Sequence, residues 1–174
     1  MKKHQVFSGE KQVQVMFVCM GNICRSPSAE GVFKNYVNKN GLNNVIKVAS
    51  CGTHDYHVGG PADPRSCQAA LARGVDLASH KAQQLKSVHF ETYDYLLVMD
   101  NANYDAVIRQ CPPQHRVKVH YFLDFAPKLG VQEVPDPYFG GPEGFERVLD
   151  LIEAAADGLL SQIKKRYFNA ATLT

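Results

Sequence analysis

No stretch of roughly 18 consecutive apolar residues occurs in the chain, so a membrane-spanning helix is not expected. The segment from Met1 to Gln14 is polar and lacks the apolar core of a secretory signal, which points to a cytoplasmic protein. Charge of one sign is lacking too: 19 Lys and Arg against 17 Asp and Glu leave a formal +2. The dense basic clusters, Lys2-Lys3-His4 and Lys164-Lys165-Arg166, lack the basic face with interleaved aromatics of a nucleic-acid binder and read as solvated ends. Cysteine is scarce and odd in number, five residues, which argues against a secreted disulfide framework. Cys19 and Cys24 have no second ligand pair at zinc spacing, so no metal is implied, and nothing calls for a cofactor. Internal repeats and low-complexity segments are absent.

What remains is a chain of 174 residues, 45% apolar and 21% charged, the size and balance of one globular domain. Residues 1–12 read as a flexible extension, 13–168 as the domain and 169–174 as a tail. Val13 to Val18 is a short β-rich apolar run, a buried strand. Ser26-Pro27 opens a helix with Glu30 in its first turn and apolar Ala29, Val32, Phe33, Tyr36 and Val37 at helical spacing; Gly41 ends it. Val45 to Ala49 is a second strand, followed by a loop to Ala62. Asp63-Pro64 caps a second helix that stops at Gly74. Residues 79–93 have room for a short helix, Tyr95 to Met99 is a third strand, Asn101 to Gln110 a helix, and Val117 to Phe122 a fourth strand. After a loop from Asp124 to Gly141, Pro142 starts a helix striped by Phe145, Val148, Leu149, Ile152, Ala156, Leu159, Leu160 and Ile163. Strands alternating with helices predict an α/β fold: a four-stranded parallel sheet with helices on both faces, in three layers. No apolar stripe is left over for a partner, which points to a monomer.

Sites in such sheets form beyond the carboxyl ends of the strands, and the chemically rich residues fall there. The segment Cys19-Met20-Gly21-Asn22-Ile23-Cys24-Arg25-Ser26 joins a strand end to a helix start. A tight loop at that junction turns several backbone N–H groups inward as an anion nest, and the helix N-terminus adds partial positive charge. Gly21 and Asn22 tolerate left-handed backbone angles. The field that binds a phosphate-sized dianion also stabilises a thiolate at Cys19. Arg25 offers a planar fork to two phosphate oxygens, and Ser26 can donate to the sulfur. Cys24 shares the loop, so oxidation could join it reversibly to Cys19.

This run resembles the signature loop of the low-molecular-weight protein tyrosine phosphatases, and the resemblance extends from Val13 to Tyr167. Ser50-Cys51-Gly52-Thr53, Tyr56-His57-Val58-Gly59, Pro61-Ala62-Asp63-Pro64-Arg65, Ser79-His80, Met99-Asp100 with Asn103, and Asp136-Pro137-Tyr138-Phe139 are similar to further segments of that family. Phe139 stands where a tyrosine is frequent and Gln83 where an arginine is common. The resemblance implies the phosphotyrosine protein phosphatase I-like fold, with flavodoxin-like winding, and a phosphocysteine mechanism. In it Cys19 is the nucleophile, Arg25 the phosphate clamp and Asp136 the general acid and base. Met20, Gly21, Asn22, Ile23, Cys24 and Ser26 bind substrate, with Tyr56, Tyr138 and Phe139 around the aryl ring. Asn22, Ser50 and His80 support the loop. The implied ligands are tyrosine-phosphorylated proteins, small aryl phosphates and inorganic phosphate or similar oxyanions, and the implied pH profile is bell-shaped. Two alternatives stand beside it: an arsenate reductase on the same fold, for which residues 68–110 offer no resolving cysteine, and a silent phosphate-binding module.

Overall fold

The computed structural model describes residues 12–168. The expected extension, apart from Gln12, and the expected tail lie outside them. Four strands, β1 (Val13–Cys19), β2 (Ile46–Gly52), β3 (Tyr95–Val98) and β4 (Val119–Tyr121), form a parallel sheet in the order β2-β1-β3-β4. Five α-helices connect and follow them: α1 (Arg25–Lys39), α2 (Pro64–Ala72), α3 (Ser87–Thr92), α4 (Asn101–Gln110) and α5 (Pro142–Ile163).

The sheet is covered on both faces, which is why β1 and β3 read as unbroken apolar runs rather than alternating ones. Val15 and Phe17 of β1 and Leu97 of β3 point into a core shared with α1, α2 and α5. Met16, Val18, Leu96 and Val98 point the other way, against Phe90 of α3 and Val107 of α4. The α5 stripe from Phe145 to Ile163 is buried as its spacing predicts. Gly41 and Gly74 take left-handed angles just past α1 and α2 (φ 69° and 79°), where a side chain would be strained.

Several boundaries differ from expectation. α1 begins at Arg25, so Pro27 lies inside the first turn and Glu30 beyond it; the first turn holds no acid. β2 runs on through Ser50 and Cys51 to Gly52, because backbone pairing with β1 as far as Cys19 matters more than the polarity of Ser50. The fourth strand is shorter than Val117–Phe122. Pro113–Lys118 forms a 3₁₀ turn, and Phe122–Phe125 forms another. Pro112-Pro113 cannot donate to a ladder, and this edge strand pairs with β3 alone over its three residues.

Chain order reverses between β1 and β3, from whose carboxyl ends one chain leads to α1 and the other to α4. The crevice above that reversal is where a ligand of such a sheet sits.

Candidate active site

The loop from Cys19 to Arg25 fills this crevice. Asn22 is the one non-glycine among the described residues with a positive φ, 56°. The side chain that tolerates that angle also fastens the loop. Asn22 Nδ2 donates to Ser26 Oγ at 2.8 Å and to Ser50 Oγ at 2.9 Å. Its Oδ1 accepts from the Gln83 backbone N–H at 2.9 Å, and its carbonyl oxygen lies 2.7 Å from His80 Nε2, which must therefore carry the proton. Gln83 closes the ring through its side-chain amide on the Ser50 carbonyl at 2.9 Å. The expected supports Asn22, Ser50 and His80 are thus brought together. Gln83 joins them through both its backbone N–H and its side-chain amide.

Ser26 Oγ lies 3.0 Å from Cys19 Sγ. Because Asn22 donates to that hydroxyl, the Ser26 proton is free to point at the sulfur, with the Cys51 carbonyl a longer acceptor at 3.4 Å. No side chain caps α1, which leaves its first-turn amides and their dipole to an anion. Arg25 is buried. Its Nη1 donates to Asp100 Oδ2 at 2.6 Å and to the Val134 carbonyl at 3.0 Å, and Nη2 is 3.8 Å from Asp136 Oδ2. Burial disfavours the guanidinium charge, but negative charge at Cys19, Asp100 and Asp136 outweighs it and raises the pKa. At Cys24, burial, reinforced by the charges of Asp63, Cys19 and Asp136 against one hydrogen bond from Ser66, lifts the pKa to about 12. Cys24 therefore stays a thiol at neutral pH, with little nucleophilic character.

Behind the loop, Glu30 accepts from Ser50 Oγ at 2.7 Å and from Lys34 Nζ at 2.8 Å, with His80 Nδ1 at 3.7 Å. Burial alone would raise its pKa; the polar contacts with His80, Lys34 and Ser50 bring it down to about 2. Glu30 and Asp100 were not marked by the sequence as site residues. Glu30 is signalled only by its place in α1, and Asp100 by the family-like Met99-Asp100 pair and by its place as the cap of α4, where it accepts from the Asn103 N–H.

A pocket of about 220 Å³ opens over the loop. Cys19, Met20, Gly21, Ile23, Cys24 and Arg25 line it, facing Tyr56, His57, Asp136, Tyr138 and Phe139. The expected aryl-binding residues are gathered, but they stand at the mouth: Tyr56 is 69% exposed, stacked on His54, and Phe139 is 93% exposed, edge-on to Tyr138. His57 is an addition, close enough that a Cβ at Gly21 would come within 3.1 Å of it. All five cysteines are free thiols, and Cys51, Cys67 and Cys111 do not line the pocket. Among the described residues no three His, Cys, Asp or Glu side chains gather as a metal site, and no helix is long and apolar enough to cross a membrane.

The parallel α/β sheet thus presents a cysteine and an arginine on one loop at its carboxyl edge, with an aspartate across the pocket. Residues 14–169 match the family model described as low molecular weight phosphotyrosine protein phosphatase. The low molecular weight phosphotyrosine protein phosphatase of Schizosaccharomyces pombe is 42% identical over 136 residues, covering 78% of this chain and 86% of that one. A protein tyrosine phosphatase from Entamoeba histolytica, solved with Hepes in its active site, superposes with a TM-score of 0.86 at 38% identity, covering 88% of this chain and 98% of that one. Wzb of Vibrio vulnificus, solved in complex with benzylphosphonate, gives 0.75 at 31% identity over 86% and 98%. The chain belongs to the low molecular weight phosphotyrosine protein phosphatase family, and its activity is that of a protein-tyrosine phosphatase.

Proposed function

We propose that this phosphatase works through a phosphocysteine intermediate, with Cys19 as nucleophile, Arg25 as phosphate clamp and Asp136 as general acid and then base. The observation that carries the reading is the convergence on one pocket of Cys19, Arg25 and Asp136, with the buried Ser26 hydroxyl 3.0 Å from the Cys19 sulfur behind it. The Cys19 thiolate attacks phosphorus in line; the S–P bond forms as the bond to the aryl oxygen breaks. Asp136 gives its proton to that oxygen, so a phenol leaves. Water then attacks phosphorus, Asp136 takes its proton, and the S–P bond breaks to return thiolate and inorganic phosphate. Arg25 and the loop amides hold the equatorial oxygens through both steps, and charge stabilisation of this kind supplies much of the acceleration. The Ser26 hydroxyl donates to the sulfur and so favours its departure in the second step.

The substrates that fit are tyrosine-phosphorylated proteins and small aryl phosphates. An open mouth with aromatic sides at Tyr56, Tyr138 and Phe139 suits a flat ring while leaving room for the polypeptide that carries it. The benzylphosphonate complex of the Vibrio relative supports an aryl group next to the anion site. We place the enzyme in the cytoplasm as a monomer.

The test is hydrolysis of p-nitrophenyl phosphate at mildly acid pH with a chelator present, wild type against Cys19→Ser. Wild-type turnover that the serine variant abolishes is expected, together with a trapped phosphocysteine in acid-quenched wild type. Turnover surviving in Cys19→Ser would overturn the mechanism.

A further inference from the structure

The segment carrying Asp136 has no regular structure between Gly130 and Gly141. A few tethers fix it. Upstream of Asp136, the Val134 N–H donates to the Met99 carbonyl at 2.8 Å, and the Val134 carbonyl accepts from Arg25 at 3.0 Å. Downstream, Arg65 Nη1 donates to the Tyr138 carbonyl at 2.9 Å, and the guanidinium lies over the Tyr138 and Phe145 rings, 5.3 and 4.7 Å from their centroids. The Tyr138 N–H in turn donates to Asp136 Oδ1 at 3.1 Å.

The other side of the same guanidinium is occupied as well. Arg65 Nε and Nη2 donate to Asp63 Oδ1 and Oδ2 at 3.0 and 2.8 Å. Asp63 caps α2 by accepting from the Arg65 N–H, and its own N–H donates to the Ile23 carbonyl of the phosphate loop at 2.8 Å. A hydrogen-bonded path therefore runs from Ile23 through Asp63, Arg65 and Tyr138 to Asp136. The planar fork is what allows it: two donors fix the guanidinium on a carboxylate while a third reaches across the mouth. A lysine gathers its three donors on one nitrogen and cannot span the carboxylate and the carbonyl from fixed positions as the fork does.

We propose that Arg65 is a positioning residue for Asp136, holding the acid-bearing segment at a fixed offset from the phosphate loop although Arg65 does not itself line the pocket. The inference rests on the acid role proposed above for Asp136. Displacement of a reacting group by about 1 Å costs on the order of 10²-fold in rate. Loss of Arg65 should therefore weaken protonation of the leaving group more than phosphate binding.

The discriminating measurement is kcat/KM for Arg65→Ala and Arg65→Lys on two substrates. Phenyl phosphate needs a proton on its leaving oxygen; p-nitrophenyl phosphate needs it far less. Both variants should lose roughly tenfold more on phenyl phosphate than on p-nitrophenyl phosphate, within the 10²–10⁴ that general acid catalysis supplies. In an Asp136→Asn background the same substitutions should leave the substrate ratio unchanged, because the group being positioned is gone. Inhibition by inorganic phosphate should stay near wild type. Equal losses on both substrates, an unchanged extra loss in the Asp136→Asn background, or full activity in Arg65→Lys would each overturn the proposal. Arg65 is 45% exposed, and its backbone N–H keeps the α2 cap in either variant. Should Arg65→Ala unfold, Arg65→Lys decides alone. A wild type without turnover would sink the phosphocysteine mechanism instead, a different result from a working wild type whose substrate ratio ignores Arg65.

Discussion

Glu30 is a carboxylate kept charged under the Cys19–Arg25 loop, its side chain only 17% exposed. Its pKa falls from 4.5 to about 2 on folding. A carboxyl depressed in the folded state contributes stability that is fully present above its unfolded pKa and is lost as pH falls through the folded one. The window is therefore pH 4.5 down to about 2, and the shift corresponds to about 3 kcal/mol. Glu30→Gln should unfold with a shallower pH dependence than wild type there, the gap between the two proteins narrowing by about that amount as pH falls. Denaturant titrations at several acid pH values check this; parallel curves would show that Glu30 is not the group responsible. No residue pattern announces this role, since Glu30 meets Ser50 and His80 only when β2 and the segment after α2 pack against α1.

At the scale of elements, the end of β2 decides the shape of the anion loop. Gly52 is its last residue, and a Cβ there would sit 2.6 Å from the Met20 carbonyl oxygen and 3.2 Å from the Asn22 nitrogen. Both contacts are backbone, so the loop itself must give way. Gly52→Ala is expected to cost about 1–3 kcal/mol, as overpacking does. It should also weaken competitive inhibition by inorganic phosphate; an alanine variant that binds phosphate like wild type would refute this. Elements with strong periodicity were legible in advance: β1, β3, α2, α4 and the α5 stripe follow their apolar spacing and caps. β4 is shorter than its apolar run, because Val117 to Phe122 is apolar enough for a strand while the 3₁₀ turns at both ends depend on Pro112-Pro113 and on packing under α5. α1 starts at Arg25, ahead of Ser26-Pro27, because Pro27 marks a first turn without saying where in that turn it stands.

For the whole molecule, the candidate site is legible where it is contiguous and opaque where it is assembled. Cys19 to Ser26 could be read as an anion loop from one stretch of chain. The partner of Arg25, Asp100, lies 75 residues away, and the tether of Tyr138, Arg65, lies 73 residues away. Only the topology makes them neighbours, and residue types alone do not reveal it. The core follows the same logic. Phe17 is fully buried in central β1, with its ring 4.8 Å from Phe122 and 5.8 Å from Phe33. Phe17→Ala should lower global stability by about 3–5 kcal/mol in urea unfolding, the loss typical of a large cavity between elements. A loss under about 1 kcal/mol would mean that the core collapses around the gap.

The strand order carries a consequence for biosynthesis. Of the four strands β1 is made first, yet its β3 neighbour arrives late: Gln14 and Asp94, which exchange hydrogen bonds beside this pairing, are 80 residues apart. At roughly 5–20 residues per second of synthesis, the β3-facing edge of β1 waits about 4–16 s after leaving the ribosome before its neighbour exists. During that interval an apolar strand edge at Val15 to Val18 is open to wrong partners, the exposure that leads to aggregation. Nascent chains of this enzyme should therefore engage a holding chaperone until Tyr95 to Val98 has emerged, and only then can the pocket form.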